Sequence, residues 1–281
     1  MSKIAYLNSR YVKFNEAKIH IEDRGLQFSD SVYEVISFYK LQLIDFEFHI
    51  KRLKYSLKEL EIKYLVNQDK LKKIFNKIIK LNKLKNGIVY LQITRGVQPR
   101  DHSYKNNLIP NLIIYTMSKK FNLPNRNFKG KKAITYQDLR WKRRDIKTVS
   151  LLANVLAKKE AVRKNAYEAI LIDKGKITEA TASNVWIVKN NKLITHPTNT
   201  DILKGITRET IKRIIKTNKL QLNEKSFTVK QLYNADEVFI TSSTNFVTPI
   251  TKIDSIIINK GKIGNISLQL AKLYKSLFID E

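Results

Sequence analysis

The chain has 281 residues, 43% of them hydrophobic, and no cysteine; that makes a globular protein of one large or two medium domains and excludes disulfides, thiolate metal sites and cysteine nucleophiles. Its 53 lysines and arginines stand against 25 acidic residues, a net charge of +28. The excess is mostly lysine, spread along the whole chain and alternating with isoleucine and asparagine in stretches such as Asp69 to Lys80. That is a solvated helix face, so no specific nucleic acid partner is expected.

In chain order, residues 3–21 alternate around Asn8-Ser9-Arg10 and read as a hairpin. Gly25 reads as a turn, and Val32 to Tyr39 as a strand. Asp45 is placed to cap a helix running to about Leu60, with Ile50, Leu53, Leu57 and Leu60 on one face and His49 and Arg52 on a common side. A second helix over about 69–83 carries Leu71, Ile74, Phe75, Ile78 and Ile79 at helical spacing. Strands follow at Ile88 to Thr94 and Leu112 to Met117, joined by a loop holding Arg100-Asp101-His102. The polar segment 119–132, with Pro124 and Gly130, divides an N-terminal α+β domain (1–118) from a C-terminal domain (133–281). The second domain is expected to hold a strand at Ala133 to Tyr136, a helix over about 150–165, strands at Glu168 to Ile172 and Ile177 to Val188, then Leu193-Ile194. A helix begins at Gly205-Ile206-Thr207, a strand runs from Glu237 into Thr241-Ser-Ser-Thr244, and a last helix covers about 266–278. The opening MSKIAYLNSRYVKF lacks a signal-peptide core and no apolar run reaches membrane-spanning length, so a cytoplasmic protein away from the membrane is expected.

Four separated features carry chemistry. Lys147 lies between Ile146 and Thr148, just before Val149, Leu151, Leu152, Val155 and Leu156. A lysine led into a buried segment is costly unless it is neutral or covalently used, and a desolvated amine can form a Schiff base; the plain alternative is a surface lysine at a strand end. At Lys204-Gly-Ile-Thr-Arg208 a glycine turn enters a helix, which makes an anion site, or else an ordinary cap by Thr207. The hydroxyls of Thr241 to Thr244 suit phosphate oxygens, or make a polar loop. Glu179 is a carboxylate in the β-rich run Ile177-Thr-Glu-Ala-Thr-Ala-Ser183, or simply a solvent-facing strand residue.

The blocks EDRGLQFSDSVYEV, HIKRL, TRGVQPRDH, RWKRRDIKTVSLLANVLAKKEA, ITEATASNVW, THPTNTDILKGITR and FITSSTNFVTPI resemble, nearly end to end, the fold-type-IV pyridoxal phosphate (PLP) dependent aminotransferases, and within them the bacterial D-amino acid (D-alanine) aminotransferases. The resemblance implies a two-domain α+β and α/β fold. The small N-terminal domain and the larger β-rich domain would hold PLP between them. It implies that Lys147 binds PLP covalently and moves the substrate proton, and that Glu179 faces the pyridine nitrogen. Arg52, Ile206, Thr207, Ser242 and Ser243 would hold the phosphate, and Leu203 would pack on the ring. Tyr33, Arg100 and His102 would grip the substrate α-carboxylate, with Arg100 and His102 reaching across a homodimer. No metal is implied. The implied reaction is D-alanine with 2-oxoglutarate to give pyruvate and D-glutamate. An L-branched-chain aminotransferase or an aminodeoxychorismate lyase on the same scaffold remains open, with Arg100 and His102 against both. A basic nucleic-acid-binding protein without catalysis is opposed by the presence of both Lys147 and Glu179. Four positions depart from the family pattern: Ser29 and Ser31 replace glycines, Ala182 lacks a hydroxyl, and Leu26 stands in place of a tyrosine, a change expected to be minor. If either glycine needs positive φ, its serine strains the turn.

Overall fold

The apolar stripes organise each layer. A computed structural model of the protein describes residues 3–279, so the outermost residues of the two expected domains lie outside the described residues. The chain divides into a first unit, Met1–Lys120 with Ile146–Ser150, and a second, Phe121–Asp145 with Leu151–Glu281.

The first unit contains β1 (Ile4–Leu7), β2 (Arg10–Lys13), α1 (Arg24–Phe28), β3 (Ser31–Tyr39), β4 (Gln42–Leu43), α2 (Phe46–Glu59), α3 (Gln68–Leu81), β5 (Gly87–Thr94) and β6 (Asn111–Ser118). The strands form one antiparallel sheet in the order β2-β1-β6-β5-β3-β4. Helical spacing puts Leu71, Ile74, Phe75, Ile78 and Ile79 of α3 on its buried face, and Asn67 caps that helix by accepting from the Lys70 N–H at 2.9 Å. Ile50, Leu53 and Leu57 of α2 join the same core, with Val32, Ile36 and Phe38 of β3.

Two local expectations change. Gly25 lies inside the short helix α1, whose N-cap Asp23 accepts from the Gly25 N–H at 2.8 Å, because a capping carboxylate outweighs the turn preference of one glycine. Asp45 does precede α2, but at φ +54° and without a side-chain cap bond; its left-handed backbone turns the chain in from β4 instead of adopting the extended form that aims a side chain at the helix.

Of the two glycine replacements, Ser29 sits at φ +57°, left-handed, as the C-cap of α1. Ser31 is not among the positive-φ residues, and its hydroxyl accepts from Gln92 Nε2 at 3.0 Å. The strain therefore falls on Ser29 alone. Ser29→Gly is expected to raise the urea midpoint of the protein by an amount equivalent to roughly 1 kcal/mol. An unchanged midpoint would mean that the serine hydroxyl offsets the backbone strain.

The second unit holds β7 (Lys131–Gln137), α4 (Leu152–Arg163), β8 (Glu168–Asp173), β9 (Lys176–Ala180), β10 (Asn184–Lys189), β11 (Lys192–Thr195), α5 (Ile206–Thr217), β12 (Gln221–Glu224), α6 (Val229–Tyr233), β13 (Glu237–Ser242), β14 (Phe246–Ile253), β15 (Ile256–Ile257) and α7 (Asn265–Lys275). Its mixed sheet runs β12-β11-β10-β13-β14-β7-β8-β9, with β15 on β14. The single strand expected over Ile177 to Val188 is two strands, β9 and β10. They are broken at Thr181-Ala-Ser183, where the Ala180 N–H bonds the Ser183 carbonyl at 2.7 Å in a tight turn. The apolar run after Lys147 is not buried as expected. Leu152 is 72% exposed and Val155 58%, with Leu156 and Val162 also in solvent, while Ala157 and Ala161 are the residues of α4 packed against β7 and β8. Alanine permits the closer approach, so the small side chains face inward and the large ones outward.

Candidate active site

In the first unit the Lys147 segment lies against the start of β3. Val32 and Thr148 form an antiparallel bridge, the Tyr33 N–H donates to the Lys147 carbonyl at 3.0 Å, and the Lys147 N–H donates to Ser56 Oγ at 3.2 Å. These bonds fix a half-buried lysine whose Nζ stands 4.0 Å from the centre of the Tyr33 ring. Tyr33 in turn stacks on Tyr90 at 5.8 Å. Lys147 and Tyr33, 114 positions apart by number, are thus brought together.

On the other face of β3 the neighbouring residue Glu34 points into the core, as strand alternation requires. Arg52 of α2 grips it through two parallel bonds, Nε to Oε1 and Nη2 to Oε2, both 2.8 Å, and His49 Nδ1 lies 2.6 Å from Oε2. Burial alone would raise the Glu34 carboxyl; the Arg52 and His49 contacts outweigh it and hold the group at about 2. Burial pulls the His49 imidazole below its ordinary value even with Glu34 beside it. Neutral His49 therefore serves as a hydrogen-bond donor, and Arg52 is held rigid at the helix surface. The helical pairing of His49 with Arg52 was legible in the sequence; their partner Glu34 was not, since it belongs to another element.

Arg100 and His102 occupy the exposed loop between β5 and β6. Both flank one ring: the Arg100 guanidinium is 4.6 Å and the His102 ring 5.4 Å from the centre of Phe28.

In the second unit Glu179 on β9 is buried, which excludes the solvent-facing alternative. Arg140 Nη1 donates to Oε1 in a very short contact, Asn184 Nδ2 donates to Oε2 at 3.1 Å, and the Leu203 N–H lies 3.2 Å from both oxygens. Burial pushes the Glu179 carboxyl up, against the opposing pull of Arg140, and the pair holds Arg140 above the usual guanidinium range. Arg140 is itself oriented by Asp138, through Nε to Oδ1 at 3.0 Å and Nη2 to Oδ2 at 2.7 Å, and Thr178 donates to the same carboxylate at 2.7 Å. Neither Asp138 nor Arg140 was assigned a role from the sequence. The signal was there, an acid two residues before an arginine at the head of the Lys147 block, but nothing local tied it to Glu179.

Leu203 leads into Gly205 and the N-terminus of α5. Gly205 is the N-cap and offers no side chain; a Cβ there would strike the Asn184 amide, the group that also holds Glu179. Thr207 does not cap the helix. Its hydroxyl is buried without a hydrogen-bond partner, as are those of Ser183 and Ser242. Ile206 opens the helix, which packs on β13, where Ser242 is the last residue; Ser243 starts the following turn. Free N–H groups at a twelve-residue helix start and orphaned hydroxyls beside it match the oxygens of a phosphate. A buried carboxylate suits a protonated ring nitrogen as its partner. The residues present therefore fit a phosphorylated pyridine. Ala182, the third departure, is exposed, so the missing hydroxyl removes no buried contact.

The family Amino-transferase class IV matches residues 31–253. The D-alanine aminotransferase of Bacillus licheniformis is 41% identical over 275 residues, covering 98% of this chain and 96% of that protein. The branched-chain aminotransferase of the thermophilic archaeon Thermoproteus uzoniensis, solved with norvaline, superposes with a TM-score of 0.88 at 26% identity, covering 99% of this chain and 95% of that one. A T.th. branched-chain amino acid aminotransferase complexed with N-(5'-phosphopyridoxyl)-L-glutamate gives a TM-score of 0.88 at 25% identity, with 99% and 94% covered. No described helix is long and apolar enough to cross a membrane. Likeness over nearly the whole length, in sequence as in architecture, gives the expected fold-type-IV arrangement, and the chain belongs to the class IV aminotransferase family.

Proposed function

We propose that the protein is a D-amino acid aminotransferase that converts D-alanine and 2-oxoglutarate to pyruvate and D-glutamate. The observation that carries this reading is the likeness to D-alanine aminotransferases at 39–41% identity over 94–98% of this chain. The relatives of known structure with branched-chain activity are more distant.

Pyridoxal 5'-phosphate, when bound, supplies the carbonyl that receives the amino group and a ring that draws off the electron pair left at Cα. The chain supplies the rest. Lys147 would hold the cofactor, and its Nζ would take the proton from the substrate Cα. Tyr33 under the amine keeps Nζ directed. Glu179, steadied by Arg140, Asn184 and the Leu203 N–H, keeps the ring nitrogen protonated; its raised carboxyl reflects burial that a second cationic partner relieves. Leu203 would pack on the ring. Arg52, oriented by Glu34, would bind the phosphate, and Ile206, Thr207, Ser242 and Ser243 would bind it as well; a guanidinium suits phosphate oxygens. Arg100 and His102 hold the substrate carboxylate with Tyr33, and the place of that anchor decides which Cα–H faces Lys147. A homodimer in the cytoplasm completes the reading. The leucine and valine face of α4 left in water is suited to burial against a second copy.

The test is a chiral transfer assay on PLP-loaded protein. D-Alanine with 2-oxoglutarate is expected to yield pyruvate and D-glutamate, and L-leucine with 2-oxoglutarate to yield nothing. L-Glutamate from the second mixture and no pyruvate from the first would assign a branched-chain enzyme. Silence in both would assign the lyase.

A further inference from the structure

The loop that carries Arg100 and His102 is held in part by its own side chains, Asp101 accepting from the Ser103 N–H and hydroxyl at 2.9 Å, and in part by Arg24, a 4% exposed arginine at the start of α1. Its Nη1 donates to the carbonyls of Asp101 at 2.6 Å and Ser103 at 3.2 Å, and Nη2 donates to the carbonyl of His102 at 3.2 Å. Three consecutive loop carbonyls thus converge on one guanidinium. Its Nε bonds Asp30 Oδ2 at 2.9 Å, and the group lies 4.7 Å from the centre of Phe28, the same ring that Arg100 and His102 flank. Asp30 also accepts from Arg95 Nε at 2.6 Å, and Arg95 stacks 3.7 Å from the Tyr104 ring at the far end of the loop. Gln98 adds a bond to the Ser103 carbonyl at 2.9 Å.

This arrangement uses what only arginine has, a planar fork with donors on three nitrogens. A lysine has a single donor centre and cannot reach Asp30 and three carbonyls together. Arg24 donates only to backbone in the loop, with the Tyr104 ring 5.5 Å from its guanidinium, so its hydrogen bonds specify the path of the chain there. Arg100 and His102 are left exposed to meet a ligand while their backbone is pinned from beneath.

We propose that Arg24 is a positioning residue for substrate selection: by fixing the backbone of Asp101 to Ser103 it sets the aim of Arg100 and His102, and so the affinity for the amino acid's carboxylate. The proposal rests on the reading that Arg100 and His102 hold that carboxylate.

The experiment compares Arg24→Met, Arg100→Ala and the double variant as PLP-loaded enzymes, with KM for D-alanine, kcat, and the visible absorbance of bound cofactor as readouts. Arg24→Met is expected to raise KM about tenfold or more, with kcat within about threefold and cofactor absorbance unchanged. In the Arg100→Ala background it should add little, because both changes disable one device. A KM near wild type in Arg24→Met, with a raised KM in Arg100→Ala, overturns the role of Arg24 alone. Equal fold-changes from Arg24→Met in both backgrounds also overturn it, since Arg24 would then act elsewhere. An unchanged KM in Arg100→Ala overturns the carboxylate assignment itself, and this proposal with it. If Arg24→Met does not yield folded holoenzyme, Arg24→Lys decides: it keeps the charge beside Asp30 but not the fork, so a raised KM supports the proposal and a wild-type KM overturns it.

Discussion

Lys147→Ala is expected to lose transamination of D-alanine almost entirely, while folding as the parent does. Proton transfer by a positioned side chain contributes about 10²–10⁴-fold on its own, and the anchoring of the cofactor is lost with the same amine. The fold should tolerate the change because what ties this segment down is backbone. The Lys147 carbonyl accepts from the Tyr33 N–H and its N–H donates to Ser56, and neither needs the side chain. The Lys147 side chain contributes its amine over the Tyr33 ring, a half-buried contact whose loss costs about 0.5–1 kcal/mol. Two measurements check this. Single-turnover transfer from D-alanine should fall to the background of free cofactor, and the thermal midpoint should stay within a few degrees. A variant that still turns over D-alanine at a tenth of the parent rate would remove Lys147 from the centre of the mechanism.

Glu34→Gln should produce the largest loss of stability. The carboxylate is 1% exposed and is shared by Arg52 and His49; without its charge, the buried ion pair with Arg52 is lost. Breaking one side of such a pair costs roughly 3–5 kcal/mol. The effect should depend on pH in a defined direction. A carboxyl held at about 2 in the folded chain, against an ordinary 4.5, contributes on the order of 3 kcal/mol. That contribution is complete above pH 4.5 and is lost as the pH falls from there towards 2. His49 acts in the same sense: its folded value lies below the ordinary 6.5, so the unfolded chain binds the proton more tightly and stability declines as the pH drops through that region. Urea unfolding at pH 7 and at pH 3.5 should therefore show a wide gap between parent and Glu34→Gln at the higher pH and a narrower one at the lower. A gap of equal width at both would mean that the charge of Glu34 is not what stabilises the first unit. The same variant frees Arg52 from its rigid position, so weaker retention of the cofactor should accompany the loss of stability.

The sequence by itself determined the elements with a clear period and marked the candidate site residues. The stripe from Leu71 to Ile79 can only be satisfied by a helix with that face buried, and α3 buries those residues. Lys147 and Glu179, and the glycine turn into Ile206-Thr207, stand in continuous blocks whose order is legible without coordinates. The tertiary structure decided who partners whom. Arg140 meets Glu179 across 39 positions, Arg24 meets the His102 carbonyl across 78, and Arg52 meets Glu34 across 18 and from a different element. Periodicity says which face a charged residue occupies, not which charge is brought opposite to it. Dozens of lysines and arginines compete on paper for each carboxylate. The apolar residues of α4 make the same point from the other side, since a run of leucine and valine reads as core until the alanines beneath it prove to be the packed face. Local pattern follows from backbone geometry, which repeats every few residues; pairing follows from chain topology, which brings distant residues together only once the sheets have formed.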